Sequence, residues 1–294
     1  KAGIKIVKGL IESVELIREY GPVCVVGFGG YPSFPTVKAA QWLKITTILH
    51  EQNAVFGRAN RRLSKLAKRI AVSFKETKSI PLEDKKKVSV TGNPIRKLFL
   101  DAATPFQAPA PGQNVHILAF AGSQGSTLFS DVLPEAIRNL PEALRKHITI
   151  CQQARAEDVA RVSQVYGELG VKAKVQPFFI DMLEQYKRAH LVISRAGAST
   201  ITEIMVMGRP ALFVPLAASL DGDQAQNAHQ LVSHQAGWML EEKNFTADEL
   251  ATKLKEILGN PAALEKAATA ALSFSRPRAT SVLADLIMKR LEKE

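Results

Sequence analysis

The stretch AFAGSQGS, residues 119–126, follows the apolar run VHIL and precedes TLFSDVLPEAI. The apolar run predicts a buried strand, the later segment predicts a helix, and the glycines lie at the junction. Glycine there costs conformational entropy and contributes no side chain to pack. Two interpretations account for it: bare backbone N–H groups bind a ligand's phosphates at a helix start, or the chain needs only a tight turn. The stretch alone leaves both open.

Strand-like runs alternate with helical patterns on both sides of this stretch. These runs are VCVVGF, TTILHE, RIAVSF, VSVTG, VHILAFA, ITICQQ, AKVQPF, LVISRAG and PALFVPL. The alternation predicts parallel sheets covered by helices, and the Pro- and Ala-rich segment DAATPFQAPAPGQN between two such series predicts a linker. The expected fold class is α/β, with two Rossmann-like domains facing across a cleft and ligands bound at the carboxyl ends of the strands.

The linker sets the predicted domain bounds. We expect a first domain over residues 1–102, a linker over 103–113, a second domain over 114–275, and a terminal helix over 276–294 that packs back on the first domain. The first domain is expected to be incomplete. It opens with a helix, whereas a doubly wound half usually opens with a strand and a glycine-rich turn.

Composition predicts a soluble globular protein. Of 294 residues, 46% are hydrophobic and 23% are charged, and no apolar run approaches the ~20 residues of a membrane-spanning helix. Cys24 and Cys151 are predicted to be reduced and buried, which suits the cytoplasm, and no His/Cys cluster has metal-ligand spacing. Residues 1–100 hold 19 Lys and Arg against 7 Asp and Glu, which favours an anionic surface partner. Because this basic third has no nucleic-acid-binding module, we expect no nucleic acid among the partners.

One motif of the second half is SRAGASTITEI, residues 194–204, which predicts a strand, a glycine turn and a helix start. Thr200 and Glu203 have the spacing of a capping box, in which each side chain satisfies N–H groups at the helix end. The alternative is that the Glu203 carboxylate accepts hydrogen bonds from the hydroxyls of a ribose. From spacing alone, the capping box is the commoner arrangement.

A second motif is DGDQAQNA, residues 221–228, which follows the strand-like run PALFVPL. Gln224 and Asn227 are three residues apart, so one helical face presents both amides, and amides can bind sugar hydroxyls. An equally good interpretation is a helix cap by Asp221 or Asp223.

Three motifs of the first half also end strand-like runs. GFGGYPSFP, residues 27–35, crowds glycines where the backbone can approach a ligand closely. HEQN, residues 50–53, places four polar side chains at a strand end, which indicates a site more than a core. In GNPIR, residues 92–96, Arg96 is either a partner for a phosphate or uracil carbonyl or an ordinary surface arginine.

Together these motifs resemble a known family. HEQN, GNPIR, the GSQG loop, RAGASTITE and PALFVPL with DQAQNA occur in the same order in MurG-type enzymes, the bacterial N-acetylglucosaminyltransferases that convert lipid I to lipid II in peptidoglycan synthesis. The resemblance covers essentially the whole chain, and five ordered motifs are far more specific than one. It implies the two-Rossmann glycosyltransferase B-type fold.

The resemblance implies a donor site for UDP-N-acetylglucosamine, mainly on the second domain. In it, Glu203 contacts the ribose, Phe179 lies beside the uracil and Gln224 binds the sugar, which favours the ligand interpretation of Glu203 over the cap. The implied donor contacts are Asn53, Arg96, Ser123, Phe179, Ala198, Ser199, Thr200, Ile201, Thr202, Glu203 and Gln224. Further residues expected around them are Gly122, Gln124, Gly125 and Asn227.

The implied reaction is inverting transfer of N-acetylglucosamine to the 4-hydroxyl of the N-acetylmuramoyl unit of undecaprenyl-linked lipid I. Tyr31, His50 and Glu51 are expected on the acceptor side, with His50 and Glu51 as local candidates for the general base. No cofactor and no metal are expected, because DGD has the Asp-x-Asp spacing only by chance. Helix starts would then stabilise the leaving diphosphate.

The sequence departs from the family in two places. The loop usually reads GGSQGA, whereas it reads AGSQGS here; Ala121 and Ser126 are small, so close backbone approach is expected to survive. The family's opening glycine-rich loop, GGTGGH-like, has no counterpart in this sequence, so the general base belongs either to HEQN or to that loop.

The first helix predicts a membrane contact. Its apolar residues are Ile4, Ile6, Val7, Leu10, Ile11 and Val14, beside Lys1, Lys5 and Lys8. With the other basic residues of the first third, they predict an anionic membrane surface as partner and a peripheral location on the cytoplasmic face of the bacterial plasma membrane, with other cell-wall synthesis proteins as possible partners. The alternative is that the stripe packs on the sheet and the lysines only solubilise.

Two other functions stay open at this stage. One is a different UDP-sugar transferase or a UDP-N-acetylglucosamine epimerase of the same fold. The other is a catalytically impaired UDP-sugar-binding fragment at the membrane surface.

Overall fold

A computed structural model describes residues 2–110, 112–122 and 125–291, so Ser123 and Gln124 of the glycine loop lie outside the described residues. Contacts divide the chain into two units. Unit 1 comprises Lys1–Ile95 and Arg276–Glu294, and unit 2 comprises Arg96–Ser275. Each unit is an α/β structure built on a parallel sheet, as predicted.

Unit 1 has a four-stranded parallel sheet in the order β1-β2-β3-β4. Elements are numbered in chain order. Those of unit 1 are α1 (Ala2–Tyr20), β1 (Cys24–Gly27), α2 (Gly30–Trp42), β2 (Thr46–Glu51), α3 (Arg58–Leu63), β3 (Arg69–Val72), β4 (Val88–Val90) and α13 (Ala279–Leu291), with 3₁₀ turns at Ser64–Leu66 and Leu82–Lys87. Parallel neighbours need crossover connections, which helices α2 and α3 supply for the first three strands.

Two glycines, Gly27 and Gly92, allow helices of unit 1 to pack closely at the ends of its strands. A Cβ on Gly27 would lie 2.6 Å from Cγ2 of Val37, so glycine at the end of β1 lets α2 pack directly on the sheet. Gly92 has φ +84°, and its Cβ would lie 2.7 Å from the Cβ of Arg276 and 3.0 Å from that of Ala279. The turn after β4 therefore requires glycine where α13 begins.

The apolar stripe predicted on α1 is divided between two environments. Leu10, Val14 and Ile17 pack against α2, while the side chains of Val7 and Ile11 are each 57% exposed. The side chains of Lys1, Ile4 and Lys5 lie outside the described residues. The stripe thus contributes both to the core of unit 1 and to an exposed apolar strip.

Unit 2 has a six-stranded parallel sheet in the order β10-β9-β8-β5-β6-β7. Its strands are β5 (Val115–Phe120), β6 (Ile148–Gln153), β7 (Lys172–Gln176), β8 (Leu191–Ser194), β9 (Ala211–Phe213) and β10 (Trp238–Met239). Its helices are α4 (Lys97–Ala102), α5 (Thr127–Arg138), α6 (Glu142–Arg145), α7 (Val159–Glu168), α8 (Met182–Arg188), α9 (Ala198–Met207), α10 (Asp223–Val232), α11 (Ala247–Leu258) and α12 (Pro261–Phe274).

The strand order of unit 2 defines a topological switch point. Chain order runs outward from β5 in one direction through β6 and β7, and outward from β8 in the other through β9 and β10. The crevice outside the carboxyl ends of β5 and β8 is where doubly wound sheets bind ligands. The GSQG loop follows β5 and the RAG loop follows β8, so both motifs lie at this crevice.

Residues 96–102 group with unit 2, whereas the predicted bounds put them in the first domain. The reason is that α4 packs against α8 and α9, and the fully buried ring of Phe99 meets that of Tyr186 edge-on, with ring centroids 5.9 Å apart. The described part of the predicted linker, 103–110 with 112 and 113, has no regular secondary structure.

Two further observations bear on the composition. None of the described helices combines the length and the apolar character needed to cross a bilayer. Cys24 and Cys151 are half-buried thiols, not the buried ones predicted, because Cys24 begins the edge strand β1 and Cys151 lies where β6 is only partly covered.

Candidate functional site

Two helix starts lie at the switch point of unit 2. Helix α5 begins at Thr127 and α9 at Ala198, directly after the loops that leave β5 and β8. The first N–H groups of a helix have no partner within it, and they carry the positive end of the helix dipole. The side chain of the N-cap residue Ser126 accepts no hydrogen bond from these groups in the described chain, and the N-cap of α9 is Gly197, which has no side chain. Both starts therefore present donors suited to an anion such as a phosphate.

The two described glycines of the GSQG loop have different reasons to be glycine. Both have a positive φ, +95° at Gly122 and +68° at Gly125. A Cβ on Gly125 would lie 3.1 Å from the backbone nitrogen of Arg155, so close packing of two loops requires glycine there. A Cβ on Gly122 would meet no described atom within 4 Å. Gly125 therefore allows the two loops to pack closely, whereas Gly122 borders open space.

Glu203 lies on α9, and each of its carboxylate oxygens has one hydrogen-bond or ion-pair partner. Its Oε1 is 3.3 Å from Nη2 of Arg96, and its Oε2 accepts a hydrogen bond of 3.2 Å from the Tyr186 hydroxyl. The Glu203 side chain is 19% exposed. Burial raises the pKa of Glu203 above its ordinary value, while the Arg96 charge and the two hydrogen bonds oppose that rise. The result is a partly buried, oriented carboxylate with a shifted pKa, which is the kind of group found at functional sites.

Sequence reasoning missed Tyr186. It lies on α8, fully buried, and burial together with the Glu203 charge holds the pKa of its phenol well above the ordinary range. The only signal in the sequence is a tyrosine within the polar segment DMLEQYKRA, and a buried core tyrosine has the same pattern. Only the packing of α8 against α9 reveals its contact with Glu203.

The capping-box interpretation of Thr200 and Glu203 is wrong. The N-cap of α9 is Gly197, so Thr200 already lies inside the first turn, and the Glu203 carboxylate bonds to Tyr186 and Arg96 instead. The reason is that Gly197 has the extended backbone of a cap, with φ −66° and ψ 148°.

The segment predicted to bind nucleotide and ribose divides by burial. Ile201 and Thr202 are buried, and the Thr202 hydroxyl donates to the carbonyl of Ala198, so neither side chain is accessible to a ligand in this structure. Their position on the inner face of α9 explains the burial. The exposed or half-buried side chains at this end of α9 are Ala198, Ser199, Thr200 and Glu203.

Gln224 and Asn227 clamp the loop after β8. Oε1 of Gln224 accepts from the backbone N–H groups of Ala196 and Leu216, and Nδ2 of Asn227 donates to the carbonyl of Ala196. Asn227 is fully buried, which is inconsistent with the predicted sugar contact and makes it a positioning residue for the RAG loop. Gln224 is half-buried, and its Oε1 is used by the two backbone N–H groups, which leaves Nε2 as the side chain's donor.

The alternative for this motif, a helix cap by Asp221 or Asp223, is wrong, because the N-cap of α10 is Gly222 and no side chain caps this helix. The carboxylate of Asp223 accepts the N–H of Gln224 at the start of α10, whereas Asp221 precedes the helix with φ 58°. Within the described residues, no group of three or more His, Cys, Asp or Glu side chains is arranged to bind a metal ion.

Phe179, predicted to lie beside the uracil, belongs to the loop after β7. Its ring is buried against the protein, with the Lys174 ammonium 5.5 Å from the ring centroid. Its neighbours Phe178 and Ile180 in the loop after β7 are exposed.

In unit 1, Glu51 is a structural carboxylate. It is buried at the end of β2 and accepts four hydrogen bonds, from the backbone N–H groups of Asn53 and Gly57 and from the side-chain amides of Asn53 and Asn60. A carboxylate bound to so many donors orients the loop between β2 and α3. Its expected role as a general base is inconsistent with this geometry.

His50 is likewise buried. Its Nε2 lies 2.9 Å from the carbonyl of Gly92 and must donate to it, so Nδ1 carries the lone pair, and Nδ1 has no partner among the described residues. Burial lowers the pKa of His50, which favours the neutral ring. Because the His50 side chain has no exposed surface, it is not accessible to an acceptor hydroxyl in this structure. Its hydrogen bond to Gly92 instead connects β2 to the turn after β4.

The remaining predicted residues of unit 1 are accessible. Tyr31, in the first turn of α2, is largely exposed, and it follows Gly29 and Gly30, which both have φ +73°. Asn53 is half-buried, with its side-chain amide held by Glu51. The side-chain amide of Gln52 donates to the carbonyl of Phe28, so it also has a partner within unit 1.

The chain matches two domain models of one glycosyltransferase family. Residues 116–283 match the glycosyltransferase family 28 C-terminal domain, and residues 1–72 match the N-terminal domain of the same family. An N-acetylglucosamine transferase of Rhodospirillum centenum, named UDP-N-acetylglucosamine–N-acetylmuramyl-(pentapeptide) pyrophosphoryl-undecaprenol N-acetylglucosamine transferase, is 43% identical over 95% of this chain and 74% of its own length. The chain belongs to this family of transferases.

A second relative and a solved structure indicate the same family. A transferase of the same name from Methylobacterium sp. strain 4-46 is 44% identical over 96% of this chain and 76% of its own. The crystal structure of Acinetobacter baumannii MurG superposes with a TM-score of 0.81 at 30% identity, covering 98% of this chain and 81% of that one. The predicted family and the two-Rossmann glycosyltransferase fold are confirmed. A UDP-N-acetylglucosamine 2-epimerase of Listeria monocytogenes, 16% identical with a TM-score of 0.70, shares the fold alone.

Proposed function

We propose that this protein transfers N-acetylglucosamine from UDP-N-acetylglucosamine to undecaprenyl-linked N-acetylmuramyl-pentapeptide, which is lipid I. The observation that carries the proposal is the 43–44% identity to transferases named for this reaction, over almost the whole chain. The geometry at the switch point of unit 2 supports it, because a nucleoside diphosphate needs both anion donors and an acceptor for its ribose.

The donor site is proposed at the carboxyl ends of β5 and β8. The N-terminal N–H groups of α5 and α9 would bind the diphosphate, with Ser123 and Gln124 assigned there on the family resemblance. A carboxylate has about four lone-pair positions, and Arg96 and Tyr186 use one on each oxygen of Glu203. One position on each oxygen remains, which suits the two neighbouring hydroxyls of a ribose.

Arg96 and Gln224 complete the proposed donor site. The Arg96 guanidinium is 66% exposed, so most of its five N–H donors can turn to a phosphate or to the uracil carbonyls. Because Oε1 of Gln224 already accepts two backbone N–H groups, this side chain would bind a hydroxyl of the sugar through Nε2. Asn53 of unit 1 is proposed as a further donor contact on the family resemblance.

The proposed chemistry is a single inverting displacement. The oxygen of the acceptor 4-hydroxyl attacks the anomeric carbon of the donor, and the bond from that carbon to the diphosphate breaks, so that UDP leaves with the bonding electron pair. The hydroxyl proton passes to a base, a role for which His50 and Glu51 are too buried. Negative charge grows on UDP, and removing one well-placed donor to such charge typically raises a barrier by about 3–4 kcal/mol.

We further propose that the protein acts peripherally at the cytoplasmic face of the plasma membrane, where a lipid-linked acceptor is available. Exposed Val7 and Ile11 beside Lys8 support this, as does the excess of basic residues in the first hundred. Each basic group near an anionic leaflet contributes about 1 kcal/mol of attraction.

The test is transfer of radiolabelled N-acetylglucosamine from its UDP donor to a lipid I analogue, measured with this chain and with Glu203→Ala. Glu265→Ala is the matched control, since Glu265 is an exposed glutamate of the same unit, on α12. We expect the unmodified chain and the control to bind the donor equally and to give equal transfer, and Glu203→Ala to lose most of both. Saturable donor binding with no glycosylated lipid, or release of an epimer, would contradict the proposal.

A further inference from the structure

Tyr186 is the most rigid contact of the Glu203 carboxylate. Its ring is fully buried and meets Phe99 and Phe120 edge-on, with both centroid distances 5.9 Å. Its hydroxyl donates to Oε2 of Glu203 over 3.2 Å. Arg96, the other partner, is 66% exposed on its long flexible side chain. Of the two groups that orient Glu203, only Tyr186 is fixed by packing.

We propose that Tyr186 is a positioning residue for ribose recognition, which holds the Glu203 carboxylate in the orientation that accepts the two ribose hydroxyls. The inference rests on the proposed function, in which Glu203 binds the ribose. With Oε2 held by the phenol, rotation about the last side-chain bond of Glu203 is blocked, and the free lone pairs point in one direction. A ribose then binds without the cost of ordering the carboxylate.

The backbone that carries Tyr186 is also anchored. The buried Arg209 donates from Nε to the carbonyl of Tyr186 over 2.8 Å and from Nη2 to the carbonyl of Lys187 over 3.2 Å. These bonds satisfy carbonyls at the end of α8, where a cation is also favoured by the helix dipole. The hydroxyl of Tyr186 is therefore held from both its ring and its main chain.

Electrostatics determine that Tyr186 is the donor and Glu203 the acceptor in this hydrogen bond. The pKa of Tyr186 lies well above its ordinary value because of burial and the Glu203 charge, so the phenol stays protonated and donates. Burial raises the pKa of Glu203, and the Arg96 charge and the Tyr186 hydrogen bond counteract it. These are the charged or titratable groups that act on Glu203 in the described chain. Tyr186 thus helps to keep Glu203 ionised as an acceptor.

The experiment compares binding of UDP and 2′-deoxy-UDP by titration calorimetry, which needs no lipid acceptor. Losing a hydrogen bond to a charged group costs roughly tenfold or more in affinity, so the unmodified protein should prefer UDP by about that ratio. Tyr186→Phe should reduce the preference about three- to tenfold, since it keeps the ring and removes only the hydroxyl.

Tyr166→Phe is the matched control. Tyr166 is also a fully buried tyrosine of unit 2, and its hydroxyl donates over 2.6 Å to Gln152, whose amide donates to the carbonyl of Phe129 and not to Glu203. It should lose similar stability yet keep the full preference for UDP. An unchanged preference in Tyr186→Phe would overturn the inference. Absence of any preference in the unmodified protein would instead overturn the proposed ribose contact.

A pH profile gives a second readout that a purely structural role would not change. Removing the phenol takes away an interaction that lowers the pKa of Glu203, so UDP binding by Tyr186→Phe should fail at a higher pH on the acid side. If that variant does not fold, 3-fluorotyrosine at position 186 keeps the ring and makes the hydroxyl a stronger donor. Its acid limb should then move to lower pH, and an unmoved limb would contradict the inference.

Discussion

Nη2 of Arg96 lies 3.3 Å from Oε1 of Glu203, although 107 positions separate the two residues along the chain. The contact joins the end of GNPIR to the RAGASTITE helix within unit 2. Two motifs that the sequence assigned to different domains therefore contribute to one cluster. Arg96 also lies over the ring of Phe99, 4.8 Å from its centroid, which ties the guanidinium to α4.

Replacing Arg96 should affect ligand binding and leave folding intact. Because its side chain is 66% exposed, we expect Arg96→Ala to change the free energy of unfolding by less than about 0.5 kcal/mol. The KM for UDP-N-acetylglucosamine should rise about tenfold, since a charge-assisted contact to the donor is lost. Steady-state kinetics and thermal unfolding measure both effects. Lys97→Ala, at an exposed neighbour, is the control, and an unchanged KM in Arg96→Ala would argue against a donor contact.

Replacing Glu51 should destabilise unit 1. In Glu51→Ala, four donors lose their acceptor, one on the buried Asn60 and three on the half-buried Asn53 and Gly57, and we expect the free energy of unfolding to fall by about 2–4 kcal/mol. Urea denaturation tests this, with the exposed Glu76→Ala as control. A general base would behave differently. Unchanged stability with a large loss of kcat would restore Glu51 as a catalytic candidate.

The two described glycines of the GSQG loop should respond unequally to alanine. Both positive φ values cost a non-glycine residue roughly 1–2 kcal/mol. Gly125→Ala adds contacts of 3.1 Å and 3.2 Å with the backbone of Arg155 and Ala154, so we expect roughly 1–3 kcal/mol more than for Gly122→Ala. Thermal unfolding of both variants measures the difference. Equal losses would mean that the two loops can separate without cost.

His190 should make the protein less stable in acid. Its Nδ1 accepts the backbone N–H of His116, and burial, helped by the charges of His116 and Arg209, lowers its pKa from 6.5 to about 4. The unfolded chain then binds the proton more readily than the folded one, so stability falls as pH drops from 6.5 toward 4 and is unaffected above that window. After allowance for partial exposure, we expect a loss of roughly 1–2 kcal/mol.

The test is the urea midpoint as a function of pH for the unmodified protein and for His190→Asn. The asparagine oxygen can accept the same N–H, but it does not titrate, so the variant should lose less stability between neutral pH and pH 4. His234→Asn, at an exposed histidine, is the control. Identical pH curves for His190→Asn and the unmodified protein would refute the assignment.

Strand positions were largely predictable because hydrophobic runs are local. TTILHE coincides with β2 over Thr46–Glu51, and the GSQG and RAG loops follow β5 and β8 as expected. Which polar residues face a ligand was much less predictable. HEQN has the composition of a site, yet His50 and Glu51 are buried and bonded within unit 1. A strand end shows that polar groups are needed there, but not whether protein or ligand will be their partner.

By itself, the sequence determined the fold class, the family and the motifs at the strand ends, because these depend on the order and periodicity of neighbouring residues. Only the tertiary structure decided that Tyr186 holds Glu203, that Asn227 clamps Ala196, and that Phe179 turns inward while Phe178 and Ile180 are exposed. Such roles depend on burial and on partners far away in the chain. A side chain's hydrogen bonds are satisfied by whatever folding brings within about 3 Å of it, and no local pattern records that.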